Sequence, residues 1–372
     1  MAKHRIRFYP IGNADTTLIS LSNGKNILWD YAHMKDEEDS DDKRCDLPEE
    51  LNKVVSDNYD VVTFTHADKD HINRFSEYFF LDHAKKYQNS SRKKIEELWV
   101  PASVLLDEQA DEEAKILKAE ARFRLKQKTG ILIFSRPKKM KKWCDDQDEI
   151  SYEEVKHLFV DAGKLVPGFS LSNDGVEFFS HSPFKSESKE IDRNAEAIVV
   201  QATFNDRCST KLILGSDCTW EVWEDIVDVT KAKGNQSRLE WDIFHISHHC
   251  SYKSLSSDKG DDQTAPTDNI KWMYETQSNN GVRLISSSKP IPSKGSDEDE
   301  DKQPPHRQAA NYYKSVGTDK NGEFLVTMEE PNKSTPKPIE IEIDTSDCSK
   351  IIKAIGMSTI GIGSSKPPRA GK

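Results

Sequence analysis

Residues 63–75 (TFTHADKDHINRF) crowd His66, Asp68, Asp70 and His71 into six positions, directly behind a run of strand formers. Imidazoles and carboxylates are the side chains that hold divalent cations, and short ones carried by the loop after a strand can be aimed at a single point. Other strand-like runs end in groups of the same kind. LILGSD closes on Asp217, IFHISHH closes on His248 and His249, and AEAIVV begins just after Asn194. Taken singly, each has a bland explanation: an Asp behind an apolar strand is most often a cap or turn residue, and a His pair is about as often a satisfied core or surface feature. The HxDxDH spacing is rarer, and the ordered series is what points to one metal site built along the edge of a sheet sandwich.

The elements that must position these groups read as alternating strands and helices. RIRFYP, TTLISL and KNILWD form a meander whose last strand ends at Asp30, and YDVVTFT is a wholly apolar strand that delivers His66. LPEELNKVV is a short helix with Pro48 near its start. From about residue 82 to 165 the pattern becomes helical and charged around one isolated strand, ILIF, and is expected to be an insertion or cap. Strands return at GVEFFSH, EAIVVQATF, KLILGSD, WDIFHIS, VRLISSS, EFLVTM and PIEIEI, with helices at TWEVWEDIVDVTKA, TDNIKWMYETQ and HRQAANYYKSV. The acidic, Pro-rich KPIPSKGSDEDEDKQPP is expected to be mobile, and 346–372 to be a flexible tail. Strands followed by helices and then strands again describe a layered α/β protein with mixed sheets, here one domain over 1–345 interrupted by the insertion.

With 372 residues, 35% of them hydrophobic, the chain can bury a large core. No run is long and apolar enough to span a membrane, and MAKHRIRFYP lacks the pattern of a secretory signal, so the expectation is a cytoplasmic protein with no membrane partner. The six cysteines contain no CxxC pair, which argues against a disulfide framework or a cysteine zinc site. A net charge of −11 excludes a generally basic, nucleic-acid-coating surface but leaves room for a local one. RPKKMKKWCDD is the candidate, with Lys138, Lys139, Lys141 and Lys142 around Trp143; a solvated helix face is the bland alternative.

The ordered motifs THADKDH, LILGSD and ISHHCS resemble those of the metallo-β-lactamase fold, and most closely the hydrolase domain of the ComEC-type competence proteins. IGNADTTLI and KNILWDY stand where that group has a Gly-Gln-Gly-Asp-like segment and an ILIDTG-like strand end. The resemblance implies an αββα sandwich with a metal site on one edge. By that likeness His66 and Asp68 serve a first metal position, Asp70 and His71 a second, and Asp217 bridges them. His248 completes the second position, with His249 as its substitute. Asn194 is a weak ligand or hydrogen-bond donor, Asp15 and Asp30 are supporting residues, and His306 contacts substrate or leaving group. The chain departs from the group's pattern at Asn73 and Arg74, at Cys250 in place of the Gly of HHGS, and at GSD in place of TGD.

An Asp in place of an imidazole at position 68 makes the site richer in oxygen, which admits Mn2+ or Mg2+ beside Zn2+. Two such ions activate a water and clamp the oxygens of a phosphoryl displacement, with Asp70 taking a proton and His306 assisting the leaving oxygen. The resemblance implies a nuclease, so the expected reaction is metal-dependent DNA phosphodiester hydrolysis, with the lysine run and Trp143 holding the strand. Lactone or ester hydrolysis on the same fold, and a non-catalytic metal-containing module, are the alternatives. A free nuclease in a cytoplasm must be restrained, which suggests control by a regulatory protein or an activating protease, as in phage defence. The sequence leaves open the metal, strand preference, endo- or exonuclease action, and oligomeric state.

Overall fold

The computed structural model describes residues 3–110, 112–135, 137–184, 191–205 and 209–344, and its strands gather into two mixed sheets. The first sheet contains β1 (Lys3–Phe8), β2 (Thr17–Ser20), β3 (Asn26–Trp29), β4 (Tyr59–Thr63), β5 (Ile95–Pro101), β6 (Ile131–Phe134), β7 (Phe159–Val160) and, in sequence the last, β15 (Ile339–Asp344). The second contains β8 (Lys164–Leu165), β9 (Val176–Ser182), β10 (Val199–Phe204), β11 (Thr210–Leu214), β12 (Trp241–His245), β13 (Ser278–Ser286) and β14 (Glu323–Val326). Their orders are β15-β1-β2-β3-β4-β5-β6-β7 and β14-β13-β12-β11-β10-β9-β8. In each sheet one half is an antiparallel meander and the other half is parallel: β3 to β7 in the first, β11 to β14 in the second.

The layers follow from where the apolar side chains go. Between the sheets, Phe8, Ile19, Trp29 and Trp99 face Phe178, Val200, Leu212 and Ile243. The outer face of the first sheet is covered by the helix Glu112–Lys126, which buries Ala114, Leu117, Ala121 and Leu125 at helical spacing. The second is covered by Trp220–Ala232 and Arg307–Asp319, through Trp223, Ile226, Val227, Tyr313 and Val316. The result is the αββα sandwich that the resemblance implied.

Residues 82–165 differ from the expected insertion. They supply β5, β6 and β7, which extend the parallel half of the first sheet, with crossover helices on its outer face. The strands are short, and Glu96 and Glu97 interrupt the apolar run of β5, so the charged helices dominate the pattern. The acidic segment expected to be mobile is tied down. Asp297–Glu300 forms a 3-10 turn in which buried Asp299 accepts from the Gly295 N–H (3.0 Å) and from Arg307 Nε (3.0 Å). The proposed tail, 346–372, lies outside the described residues.

Two parallel strand ends meet at Gly215. Ser247 Oγ donates to the Gly215 carbonyl (3.1 Å) and accepts from Trp223 Nε1 (3.1 Å), filling the space a Cβ would take. A Cβ on Gly215 would overlap Ser247 Oγ and lie 3.0 Å from the Trp223 ring and 3.1 Å from the His245 carbonyl. Gly215→Ala is therefore expected to lower stability by about 1–3 kcal/mol, as overpacking does, measured by urea unfolding; an unchanged midpoint would show that the two loops move apart freely.

Candidate metal centre

The C-terminal ends of β3 and β4 in one sheet, and of β11 and β12 in the other, converge on the same edge. Behind β3, Asp30 turns the chain at φ +57°, a region Asp tolerates better than most residues. Its Oδ1 accepts from the Thr65 N–H (2.7 Å) and its Oδ2 from Thr65 Oγ1 (2.8 Å), which fixes the loop leaving β4. That loop carries His66 and Asp68 and leads into the short helix Lys69–Ile72, which carries Asp70 and His71. The Asp15 N–H donates to the Asp70 carbonyl and the Tyr31 N–H to that of His71, both at 3.0 Å, so neighbouring loops hold the helix in place. Across the sandwich, the Ile198 N–H donates to the Thr65 carbonyl (3.0 Å).

On the second sheet, Asp217 follows Gly215 and Ser216 at the end of β11. Beyond β12, His248, His249 and Cys250 all have left-handed backbone, with φ of 51°, 51° and 65°. Each such residue costs an L side chain roughly 1–2 kcal/mol. Cys250 stands at the position of the usual Gly in HHGS, and its φ is one glycine adopts freely. The His248 N–H donates to the Ser216 carbonyl (3.1 Å), joining this turn to the Asp217 loop.

These elements bring Asp70, His71, Asp217 and His249 together, one nitrogen or carboxylate oxygen from each lying within 4.8 Å of the others. His249 Nε2 is 3.2 Å from Asp70 Oδ2 and 3.7 Å from Asp217 Oδ1. His249 Nδ1 lies 2.9 Å from the Ser287 carbonyl, to which it donates, so Nε2 is turned inward. His71 is oriented in the same manner: Nδ1 is 2.9 Å from Asp30 Oδ2, and Nε2 faces Asp217 Oδ1 at 3.3 Å. A carboxylate or carbonyl behind each imidazole is the arrangement that fixes metal-binding histidines.

The donor set fits a divalent cation. His66 Nε2 is buried with no hydrogen-bond partner among the described residues, and His71 Nε2 and Asp217 Oδ1, equally buried, have only one another, at 3.3 Å. Buried polar atoms left this way are costly, and several aimed at one region point to a ligand that satisfies them. Without a cation, protons do part of the work. Burial opposes charging of His71, but the carboxylates of Asp30 and Asp217 outweigh it and hold its pKa well above the usual value. Burial likewise opposes the charge on His249, yet Asp217 and Asp70 raise its pKa to about 9. Burial pushes Asp70 up, and the His249 hydrogen bond with the charge of His71 prevails, bringing it down to about 2.

The remaining candidates lie around this cluster. His66 sits beside His71, ring centroids 4.0 Å apart, with its Nε2 3.6 Å from Asp68 Oδ2. Of the adjacent pair, His249 and not His248 enters the four-residue cluster. The left-handed turn points the two rings apart, their planes at 86°, and the buried Nδ1 of His248 has no hydrogen-bond partner among the described residues. Asp15 and Asp30 form a second close group with His71. Asn194 is outside both groups. His306 is also outside, packed edge-on against Tyr252 and accepting from the Tyr252 N–H at Nδ1 (3.4 Å), which leaves the proton on Nε2. Burial brings the His306 pKa down to about 4, so at neutral pH it is a neutral hydrogen-bond donor.

The lysine run forms the helix Lys138–Asp145. Lys141 lies over the Tyr152 ring (5.1 Å) and Trp143 against the Arg122 guanidinium (5.0 Å). Lys139, Lys142 and Trp143 line a cavity of about 750 Å3 whose wall includes Asp107. Three residues here carried no sequence signal. Arg193 bonds to both Asp107 and Asp68, His245 lies 3.4 Å from Asp15 Oδ1, and Ser287 carries the carbonyl behind His249. His245 and Ser287 are ordinary residues at a strand end or next to one, and Arg193 an ordinary loop residue, until the partner from another element is known.

No protein-family model matches the chain, and no curated protein matches it. Among solved structures, it is similar to the metallo-beta-lactamase fold protein YhfI from Bacillus subtilis, at 10% identity over 91% of this chain and 100% of that one, with a TM-score of 0.39. A long form RNase Z from yeast is 11% identical over 80% of this chain and 39% of its own, with a TM-score of 0.39. A possible metal-dependent hydrolase from Veillonella parvula is 11% identical over 77% of this chain and 84% of its own, with a TM-score of 0.32. Among the described residues, no helix is long and apolar enough to cross a membrane.

The raised pKa of His249 has a measurable sign. Its proton-linked stability is fully present below the unfolded value of about 6.5 and is lost as pH rises through about 9. In cation-free protein, the Tm advantage of the wild type over His249→Gln is therefore expected to shrink across that window. A saturating divalent cation, which binds the unprotonated ring, is expected to remove the decline; a pH-independent difference without cation would contradict the charge assigned to His249.

Proposed function

We propose that the protein is a metal-dependent hydrolase of phosphodiesters, with DNA as substrate, and that within the metallo-β-lactamase fold it is most like the ComEC-type hydrolase domain. The observation that carries this reading is the convergence of Asp70, His71, Asp217 and His249 within 4.8 Å at the meeting of two sheet edges, beside His66 and Asp68. Asp217 lies between the histidines and is suited to be shared between two positions. His249 takes the place first assigned to His248.

Two divalent cations, Mn2+ or Zn2+ with Mg2+ as a third candidate, would supply an activated water at neutral pH and charge stabilisation for the oxygens of an in-line displacement. The chain's residues supply the rest. Asp70, about one third exposed and ionised down to low pH, is placed to receive a proton. His306 offers Nε2–H as a hydrogen bond to a substrate oxygen and is too weak a base to be a cationic acid at neutral pH. Asp30 and the Ser287 carbonyl hold His71 and His249 so that neither ring turns during the reaction. The cavity bearing Lys139, Lys142 and Trp143 supports a nucleic-acid substrate through its two ammonium groups, which suit phosphates, and its indole, which suits a base, although Asp107, Glu108 and Asp146 share its wall. It adjoins the centre through the Asp107–Arg193–Asp68 chain of ion pairs.

Cleavage of supercoiled plasmid and single-stranded DNA with Mn2+, Zn2+ or Mg2+ tests the reading. Asp217→Asn and His249→Ala are each expected to reduce cleavage by more than about 100-fold, beyond the roughly 10–100-fold that loss of an outer partner costs. His248→Ala should lose less than either. If the wild type binds cations and leaves both DNAs intact, the phosphodiesterase assignment fails, and lactone and ester substrates become the ones to assay.

A further inference from the structure

The two sides of the proposed centre are built differently. Asp70, His71, Asp217 and His249 contribute two carboxylates and two imidazoles, and no described Arg or Lys is ion-paired to Asp70 or Asp217. On the other side Asp68 is already engaged. Its Oδ1 accepts from an Arg193 Nη at 2.8 Å, while its Oδ2 remains 3.6 Å from the unpartnered Nε2 of His66.

Arg193 is itself fixed. Its other two donors, Nε and the second Nη, fork onto Asp107 Oδ2 at 3.1 and 2.7 Å, and the Asp68-bound Nη also donates to the Ala67 carbonyl at 3.2 Å. Asp107 in turn is held at the end of the helix Ala102–Leu106, where its N–H donates to the Ser103 carbonyl (2.8 Å) and its Oδ1 accepts from the Gln109 N–H (2.9 Å). Three segments are thus tied at one guanidinium: the loop after β4, the helix after β5, and the approach to β10.

We infer that Arg193, anchored by Asp107, is a positioning residue that turns a single oxygen of Asp68 toward a cation shared with His66, making this a second and weaker cation position than the four-residue cluster. The inference rests on the metal-dependent reading above. Asp107 offsets the guanidinium charge, so the main effect of Arg193 on Asp68 is geometric; what charge remains uncancelled lowers the affinity of this position more than that of the four-residue cluster, which lies farther from the guanidinium. A lysine does not replace it, because an ammonium lacks the planar fork that grips Asp107 and Asp68 together.

Titration of the full-length, EDTA-stripped protein with Mn2+, followed by calorimetry and by the EPR signal of free Mn2+, tests this without any assay of turnover. The wild type is expected to bind in a tight and a weak phase. Arg193→Ala weakens the weak phase by about 10–100-fold, as loss of an outer-sphere partner does, and leaves the tight phase within about threefold, which also certifies that the variant is folded. Asp107→Asn weakens the same phase, and Arg193→Lys does not restore it; these two carry the test if Arg193→Ala does not fold. A weak phase that is unchanged or tighter in Arg193→Ala overturns the inference, as does single-phase binding by the wild type. A wild type that binds no Mn2+ overturns the metal reading itself, whereas two-phase binding with the expected variant effects but no DNA cleavage leaves the inference standing and removes the nuclease assignment.

Discussion

The imidazole of His71 is clasped between two buried carboxylates, Asp30 from the edge of one sheet and Asp217 from the edge of the other. Much of the site depends on this contact. A carboxylate taken out of water needs a partner, and removing one member of such a set strands the others. The sheets must therefore meet with their strand ends in register. The backbone bond from Ile198 to Thr65 and the Ser247 side chain seated at Gly215 help bring the loops to that meeting. A proton on His71 satisfies the carboxylates when no cation is present, so the same geometry suits both states.

The topology explains why the groups gather on this edge. Each sheet contributes a parallel half, and parallel strands deliver their C-terminal ends to the same side, where loops carry function without disturbing the packed core. β3 and β4 bring Asp30 and His66 to that side in the first sheet; β11 and β12 bring Asp217 and His249 in the second. The antiparallel halves contribute further supporting groups, with Asp15 in the connection between β1 and β2 and Arg193 on the approach to β10. The core between the sheets is apolar, and the candidate metal centre is confined to its rim.

Much of this was legible in the sequence because strand ends leave a mark: an apolar run followed at once by His or Asp. His66, Asp70, His71 and Asp217 were visible in that way, as were most strands and the long amphipathic helices. What was not legible depended on tertiary partners or on backbone handedness. That His249 and not His248 joins the four-residue cluster follows from three consecutive left-handed residues, which no side-chain pattern encodes. Arg193 gains its fixed orientation from Asp107, 86 positions away. The membership of β5 to β7 in the first sheet was hidden because the crossover helices show their charged faces to solvent and outweigh short strands in any reading of composition. The acidic run at 297–301 looked unstructured for a similar reason: one buried Asp299, gripped by Arg307, outweighs its solvated neighbours.

The assembly of the centre across the sandwich also has a consequence for timing. Asp15, Asp30, His71, Asp217, His249 and the carbonyl of Ser287 span most of the chain, so a polypeptide still being synthesised lacks the later half of the site until β12 and β13 have emerged and docked. Local contacts form early and those of long sequence separation late. A nascent or partly unfolded chain therefore has these side chains scattered, and the candidate centre is assembled only together with the finished tertiary structure. Under the proposed metal-dependent reading, cation capture would mark the end of maturation, and the proposed hydrolysis would have no centre in an unfinished molecule.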